Sequence, residues 1–131
     1  MNESSYITAT KEAMNKAYVP YSKYPVGALI VTEKGNTYTG CNVENASYPL
    51  GNCAEATAIA SMVMAGEQKI KLIYVMSKND KGGSPCGGCR QRIREFSDAN
   101  TQVILCSPDG VQQRLALTDL LPYSFGPEYL S

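Results

Sequence analysis

Four side chains in this sequence have types and spacing that suit chemistry: Cys53 and Glu55 in GNCAEATA, and Cys86 and Cys89 in SPCGGC. All three cysteines fall where helices are expected to begin. Pro85 suits a first helical position with Ser84 before it. Cysteines at i and i+3 share one helix face, so Cys86 and Cys89 can chelate one ion together. Gly87 and Gly88 each weaken a helix by about 1 kcal/mol relative to Ala, but leave bare backbone N–H groups able to approach the sulfurs. Helix starts also lend partial positive charge, which favours thiolate over thiol. If the two helices aim their starts at one point, three thiolates make a zinc site with a fourth position still to fill.

A lone CxxC reads more simply as a redox pair or half of a zinc ribbon. A ribbon needs a second CxxC or histidines, and this sequence has no histidine at all. Cys41 and Cys106 lie in expected strands, where small apolar thiols are usual core residues. The supply of cysteines therefore points to three ligands plus water, the pattern of a catalytic site. Without histidine, proton transfer falls to a carboxylate, a tyrosine or a bound water.

Glu55 has two readings. An acid in a first helical turn complements the helix dipole. Yet ten of the thirteen residues 53–65 are apolar, so a free carboxylate there is costly to desolvate. Beside a metal-activated water it takes up a proton and delivers it to a substrate nitrogen. Residues two apart on a helix point about 200° away from each other. Cys53 and Glu55 can thus serve one pocket only if it lies off the helix end, with Cys53 at the cap.

The elements that must position these groups read as follows. Residues 3–18 form an amphipathic helix with Tyr6, Ala9, Ala13 and Ala17 on one stripe. Residues 26–33 and 36–43 form a hairpin around Lys34-Gly35-Asn36. Residues 53–65 form a helix that is apolar almost all round and therefore buried, ended by Gly66. Residues 70–77 are a continuous apolar run, as in a central strand. A helix at about 86–97, a strand at 101–106, a possible short strand at 111–116 and a short helix complete the chain. The strand–helix–strand unit from 70 to 106 makes its strands parallel, with a right-handed crossover. With the antiparallel hairpin this predicts a three-layer α/β/α domain on a mixed five-stranded sheet.

Length and composition bound the rest. The 131 residues suit one domain, with 44% hydrophobic and 18% charged residues arguing against disorder. No apolar run reaches the ~20 residues of a membrane span. The N-terminus lacks the layout of a secretory signal, so the cytoplasm is the expected location and a disulfide framework is not expected. Twelve basic and twelve acidic residues cancel, which disfavours nucleic acid as a partner. The one basic cluster, RQRIR at 90–94, reads as a solvated helix face in preference to a phosphate site.

Cys53-Ala54-Glu55 followed by Pro85-Cys86-Gly87-Gly88-Cys89 resembles the zinc-dependent cytidine deaminase family. The resemblance extends to Tyr21-Ser22-Lys23-Tyr24-Pro25-Val26-Gly27-Ala28, to Gly40-Cys41-Asn42-Val43-Glu44-Asn45-Ala46, and to Leu120-Leu121-Pro122 with Phe125. It covers residues 6 to 127, and the all-cysteine ligand set resembles the small homotetrameric branch. The resemblance implies one zinc ion per subunit on Cys53, Cys86 and Cys89, with Glu55 as proton shuttle. It implies that Asn42 and Glu44 hold the sugar hydroxyls, and that the Ala54 backbone reads the base edge beside Glu55. It further implies that the Ser84 carbonyl faces the amino group, that Tyr24 packs near the nucleoside, and that Tyr48 lies at a subunit boundary. Phe125 would stack on the base in a neighbouring subunit. The implied reaction is hydrolytic deamination of cytidine and 2′-deoxycytidine to uridine and 2′-deoxyuridine with ammonia release, a step of pyrimidine salvage.

For several of these residues a plainer reading stands alongside: core packing for Phe125, strand-end turn chemistry for Asn42 and Glu44. A deaminase of a nucleoside antibiotic and a non-catalytic zinc-binding module are the alternative functions. A fourth cysteine ligand would favour the module. The sequence departs from the family at Ala56, where an Arg commonly offsets the thiolate charge. Helix dipoles and backbone N–H donors, or Arg90 or Arg92 from the second helix, are the candidates to replace it.

Overall fold

The computed structural model describes residues 2–130. Helix α1 (Glu3–Met14) precedes a hairpin of β1 (Val26–Thr32) and β2 (Thr37–Cys41). Helix α2 (Ala54–Met64), β3 (Ile70–Ser77), α3 (Gly87–Glu95), β4 (Gln102–Ser107), β5 (Gly110–Ala116) and the short α4 (Leu117–Leu120) follow. The five strands run in the order β2-β1-β3-β4-β5. β3 and β4 are parallel, while the other pairs are antiparallel. This is the mixed sheet expected from the pattern.

Strand alternation sends side chains to two separate cores. On one face Ala28, Ile30, Ile73, Val75 and Val103 meet Ala54, Ala58 and Met62 of α2, together with Ile93 of α3. On the other, Leu29, Val31, Tyr74, Met76 and Ile104 pack on Met14 of α1. Three layers result. Tyr74 is fully buried, and its hydroxyl donates to Glu3 Oε2 at 2.8 Å, which ties α1 to the central strand.

Three element boundaries differ from the pattern-based reading, each for a physical reason. α1 ends at Met14 and not at residue 18, because Tyr18 turns extended and pairs with Val43: its N–H donates to Asn42 O at 3.0 Å. β2 stops at Cys41 and not at residue 43, because Val43 turns to pair with Tyr18 and Asn52 instead of β1. α2 is not buried all round: Met64 is 87% exposed and Val63 also faces outward, since only the Ala54, Ala58 and Met62 face meets the sheet.

α2 lies on β2 at very short range. A Cβ added at Gly40 would sit 2.5 Å from both Ala54 O and Ala58 N. Gly40→Ala is therefore expected to push α2 off the sheet at a cost of about 3 kcal/mol, lowering the thermal midpoint by roughly 10 °C. An unchanged melting curve would mean that α2 yields freely.

Candidate metal and catalytic site

The chain reverses into α2 and α3 at their first residues, and both reversals are made by cysteines. Cys53 caps α2 with extended backbone (φ −75°, ψ 156°), and Cys86 caps α3 in the same way (φ −68°, ψ 170°). Helix α3 thus begins one residue after Cys86, and Pro85 lies outside the helix instead of at its first position. The expected condition on α2 is met: with Cys53 at the cap, its sulfur and Glu55 address the space off the helix end. Cys89 follows from the first turn of α3, buried.

These three sulfurs lie within 4.8 Å of one another, and they are the metal-capable group found among the described residues. Tetrahedral thiolate ligation places sulfurs about 2.3 Å from a zinc ion, so the spacing and the donor chemistry both fit such an ion. Cys106 is buried against α1 on the opposite face of the sheet, and Cys41 is half-buried on β2. Neither joins the cluster. Among the described residues the candidate ligand set is these three cysteines, a set that would leave one position of a tetrahedral ion open.

The electrostatics of the three thiols differ. The N–H groups of Cys89 and Gly88 face the Cys86 sulfur and hold its thiol below the ordinary value. Burial pushes Cys53 and Cys89 upward instead. Glu55 is only 4% exposed. Burial is the main cause of its raised carboxyl pKa, opposed by its own backbone N–H, the Cys89 thiol and the charge of Arg92. A carboxyl raised from the usual acidic range keeps a proton closer to neutral pH, as a proton-transfer group must.

A cavity of about 190 Å³ opens at this point. Tyr24, Asn42, Ala54 and Ser84 line it with the three cysteines and Glu55, so the structure gathers eight of the expected site residues around one space. Val26, Val75 and Gly83 complete the wall. Gly83 carried the one sequence signal that could have pointed to this wall, the Gly82-Gly83 pair before Ser84. A Cβ on Gly83 would come within 3.0 Å of Ser77 N, so the loop backbone lies directly on the end of β3.

The other expected residues are placed differently. Glu44 and Tyr48 line a second cavity, of about 280 Å³, with Tyr21 and Ser22. The Glu44 carboxylate accepts the N–H groups of Tyr21 (3.0 Å) and Ser22 (3.1 Å) and the Ser22 hydroxyl. The Ser22 hydroxyl is the main cause holding its pKa below the ordinary range. Asn42 accepts from Val26 N–H at 2.8 Å and donates to Tyr24 O at 2.9 Å. Within one chain, then, both residues do strand-end and turn work. Each keeps spare capacity, one Nδ2 proton on Asn42 and further lone pairs on Glu44. Phe125 lies outside both cavities. It is 57% exposed and stacks on Tyr129 (centroids 5.7 Å apart, planes at 15°), which excludes a core-packing role.

The basic cluster is not the solvated face its composition suggests. Arg90 donates to Pro85 O (2.9 Å), Leu120 O (2.9 Å) and Ser84 Oγ (3.1 Å), pinning the loop that presents Ser84 to the cavity. Arg94 bonds Ser124 and Glu128. Arg92 alone of the three turns to the sulfurs, with Nη1 4.0 Å from Cys89 Sγ.

Comparison with known proteins agrees with this geometry. Residues 1–106 match the family described as cytidine and deoxycytidylate deaminase zinc-binding region. The chain is similar to a cytidine deaminase of Sporosarcina psychrophila, 41% identical over 131 residues, spanning 100% of this chain and 96% of that one. It is also similar to a cytidine deaminase of Halalkalibacterium halodurans, 38% identical over 98% of this chain and 97% of the relative. Among solved structures, cytidine deaminase from Burkholderia pseudomallei superposes with a TM-score of 0.89 at 41% identity, covering 95% of this chain and 100% of the other. The Mycobacterium leprae cytidine deaminase gives 0.80 at 34% identity, covering 93% and 98%.

Proposed function

The chain belongs to the cytidine and deoxycytidylate deaminase family, and from that premise we propose that it hydrolyses cytidine and 2′-deoxycytidine to uridine and 2′-deoxyuridine, releasing ammonia. The observation that carries this reading is the meeting of three sulfurs from two helix caps with a buried carboxyl at one cavity. Cys53, Cys86 and Cys89 would hold a zinc ion, whose chemistry when bound is to activate a water for attack at C4 of the base.

The chain's own residues do the rest. Glu55 takes a proton from the attacking water and passes it to N3. A second proton moves through the same carboxyl to the amino group, and the C4–N bond breaks to give ammonia. The low-dielectric wall around Glu55 strengthens these transfers by excluding bulk water. Ser84 and the Ala54 backbone flank the space in which the base would lie. Asn42 and Glu44, with their spare hydrogen-bonding capacity, are assigned to the sugar hydroxyls, and Tyr24 to the nucleoside face.

The assembly we infer is a homotetramer. Its support here is the number of aromatic and apolar groups that one chain leaves uncovered: Tyr48 is 75% exposed, and Phe125, Tyr129 and Met64 face outward as well. Phe125 then reaches a neighbour's cavity instead of its own, and Tyr48 lies at a boundary between chains. Free cysteines held as ligands suit the reducing cytoplasm. Among the described residues no helix is long and apolar enough to cross a membrane.

The test follows the ultraviolet absorbance of zinc-loaded protein mixed with cytidine, deoxycytidine or CMP. Both nucleosides are expected to turn over and CMP to lag, since no basic side chain lines the cavity to hold a phosphate. No change with any of the three would leave a zinc-binding module without this activity.

A further inference from the structure

Three thiolates around one divalent cation carry a net charge of −1, which weakens the pull of the metal on its fourth ligand. Something near the sulfurs must offset that charge. The first turn of α2 offers none, because Ala56 follows Glu55. Arg90 and Arg94 are spent on the loop at Ser84 and Pro85, on Leu120, and on Ser124 and Glu128.

We propose that Arg92 is the charge partner of the metal ligands in this chain, acting through Cys89 and not on the substrate. Two observations support the assignment. Its Nη1 is 4.0 Å from Cys89 Sγ. The guanidinium lies over the bare Cα of Gly88: a Cβ there would meet Nη1 at 3.3 Å and the Cys86 sulfur at 4.0 Å, so the cation sits beside both cysteines of α3.

The direction taken by the side chain is itself informative. Helical side chains lean towards the N-terminus, and Arg92 carries its charge back to the positive end of the α3 dipole. A cation is disfavoured there unless an anionic group compensates. The thiolate cluster is that group. Arg92 is exposed at its outer side, so its effect is screened by salt, unlike that of a buried cation.

Binding a divalent ion while releasing three thiol protons takes the cluster from neutral to −1, a change that a nearby cation favours. The proposal rests on the three cysteines being the metal site, and the experiment separates the two ideas. Zinc affinity is measured by chelator competition at neutral pH and low salt for the parent, Arg92→Gln, Arg92→Lys and the double variant Ala56→Arg/Arg92→Gln. Outer-sphere partners of metal ligands are commonly worth 10–100-fold. With Arg92 exposed, we expect Arg92→Gln to bind zinc about tenfold more weakly. Arg92→Lys should lose little, and Ala56→Arg should recover most of the loss by returning a cation from the other helix. In the cobalt-substituted proteins, the thiolate-to-metal charge-transfer band should move to lower energy in Arg92→Gln, because an uncompensated sulfur gives up its electron more easily. Parental affinity and an unmoved band in folded Arg92→Gln would overturn the proposal. So would a loss that neither Lys nor Ala56→Arg restores, since the side chain would then matter for packing alone. Failure of the parent to bind zinc would instead remove the metal reading itself.

Discussion

Glu55→Gln is expected to keep a full complement of zinc and to lose on the order of 10³-fold or more in kcat, the range associated with removing a positioned acid–base group. The substitution preserves shape at a position that is 4% exposed, so packing in the first turn of α2 is unchanged. It also replaces a carboxyl that burial already penalises in its charged form. The fold therefore tolerates the change, and what disappears is the ability to take up a proton and hand it on. The chain has no histidine to replace it, and among the described residues the other titratable groups on the cavity wall are Tyr24 and the three thiols. Metal content by atomic absorption and turnover by ultraviolet absorbance check the two halves separately. Turnover within tenfold of the parent at full zinc would remove Glu55 from the mechanism.

Cys53→Ala is expected to abolish stoichiometric zinc binding. Cys53 would be the one ligand that α2 contributes, and without it an ion would hang on two sulfurs of a single helix. Structural zinc sites draw about 10–16 kcal/mol from a full ligand set, so losing one of three sulfurs should weaken binding by roughly 10²–10⁴-fold. The fold should persist, because the Cys53 side chain makes no capping hydrogen bond to lose. In melting experiments zinc should raise the midpoint of the parent, since a ligand that binds only the folded state stabilises it. The variant should show no such rise. Retention of one zinc per chain in Cys53→Ala would refute its role as a ligand.

Much of this arrangement can be read from the chain because the relevant physics is local. The continuous apolar run at 70–77 places β3 at the centre of the sheet, and the pair β3 and β4 follows from the helix between them. The geometric conflict between Cys53 and Glu55, two residues apart, predicts Cys53 at the cap, where it stands. The basic cluster is different. Beside its local bonds to Ser84 and Pro85, Arg90 reaches Leu120, and Arg94 reaches Ser124 and Glu128, all about 30 residues downstream, and no pattern within residues 90–94 encodes these distant partners. The same holds for α1, whose end at Met14 is imposed by Tyr18 pairing with a strand end more than twenty residues away. The exposed end of α2 escapes a hydropathy reading for another cause: periodicity reports which residues are apolar, not how much of the helix the sheet can cover. Asn42 and Glu44 hold backbone of their own chain, at Val26 and Tyr24 and at Tyr21 and Ser22, contacts to segments about 20 residues upstream that no local pattern encodes.

The placing of the sulfurs on two separate helix caps also bears on the unfolded chain. An ion gripping Cys53 and Cys86 would join points roughly 30 residues apart, a cross-link that removes loop entropy worth about 3–4 kcal/mol on the scale used for disulfides. Between those points lie α2 and β3, the helix that carries Glu55 and the strand at the centre of the sheet. The metal would thus act as a reversible clasp on the helix and the strand that frame the cavity.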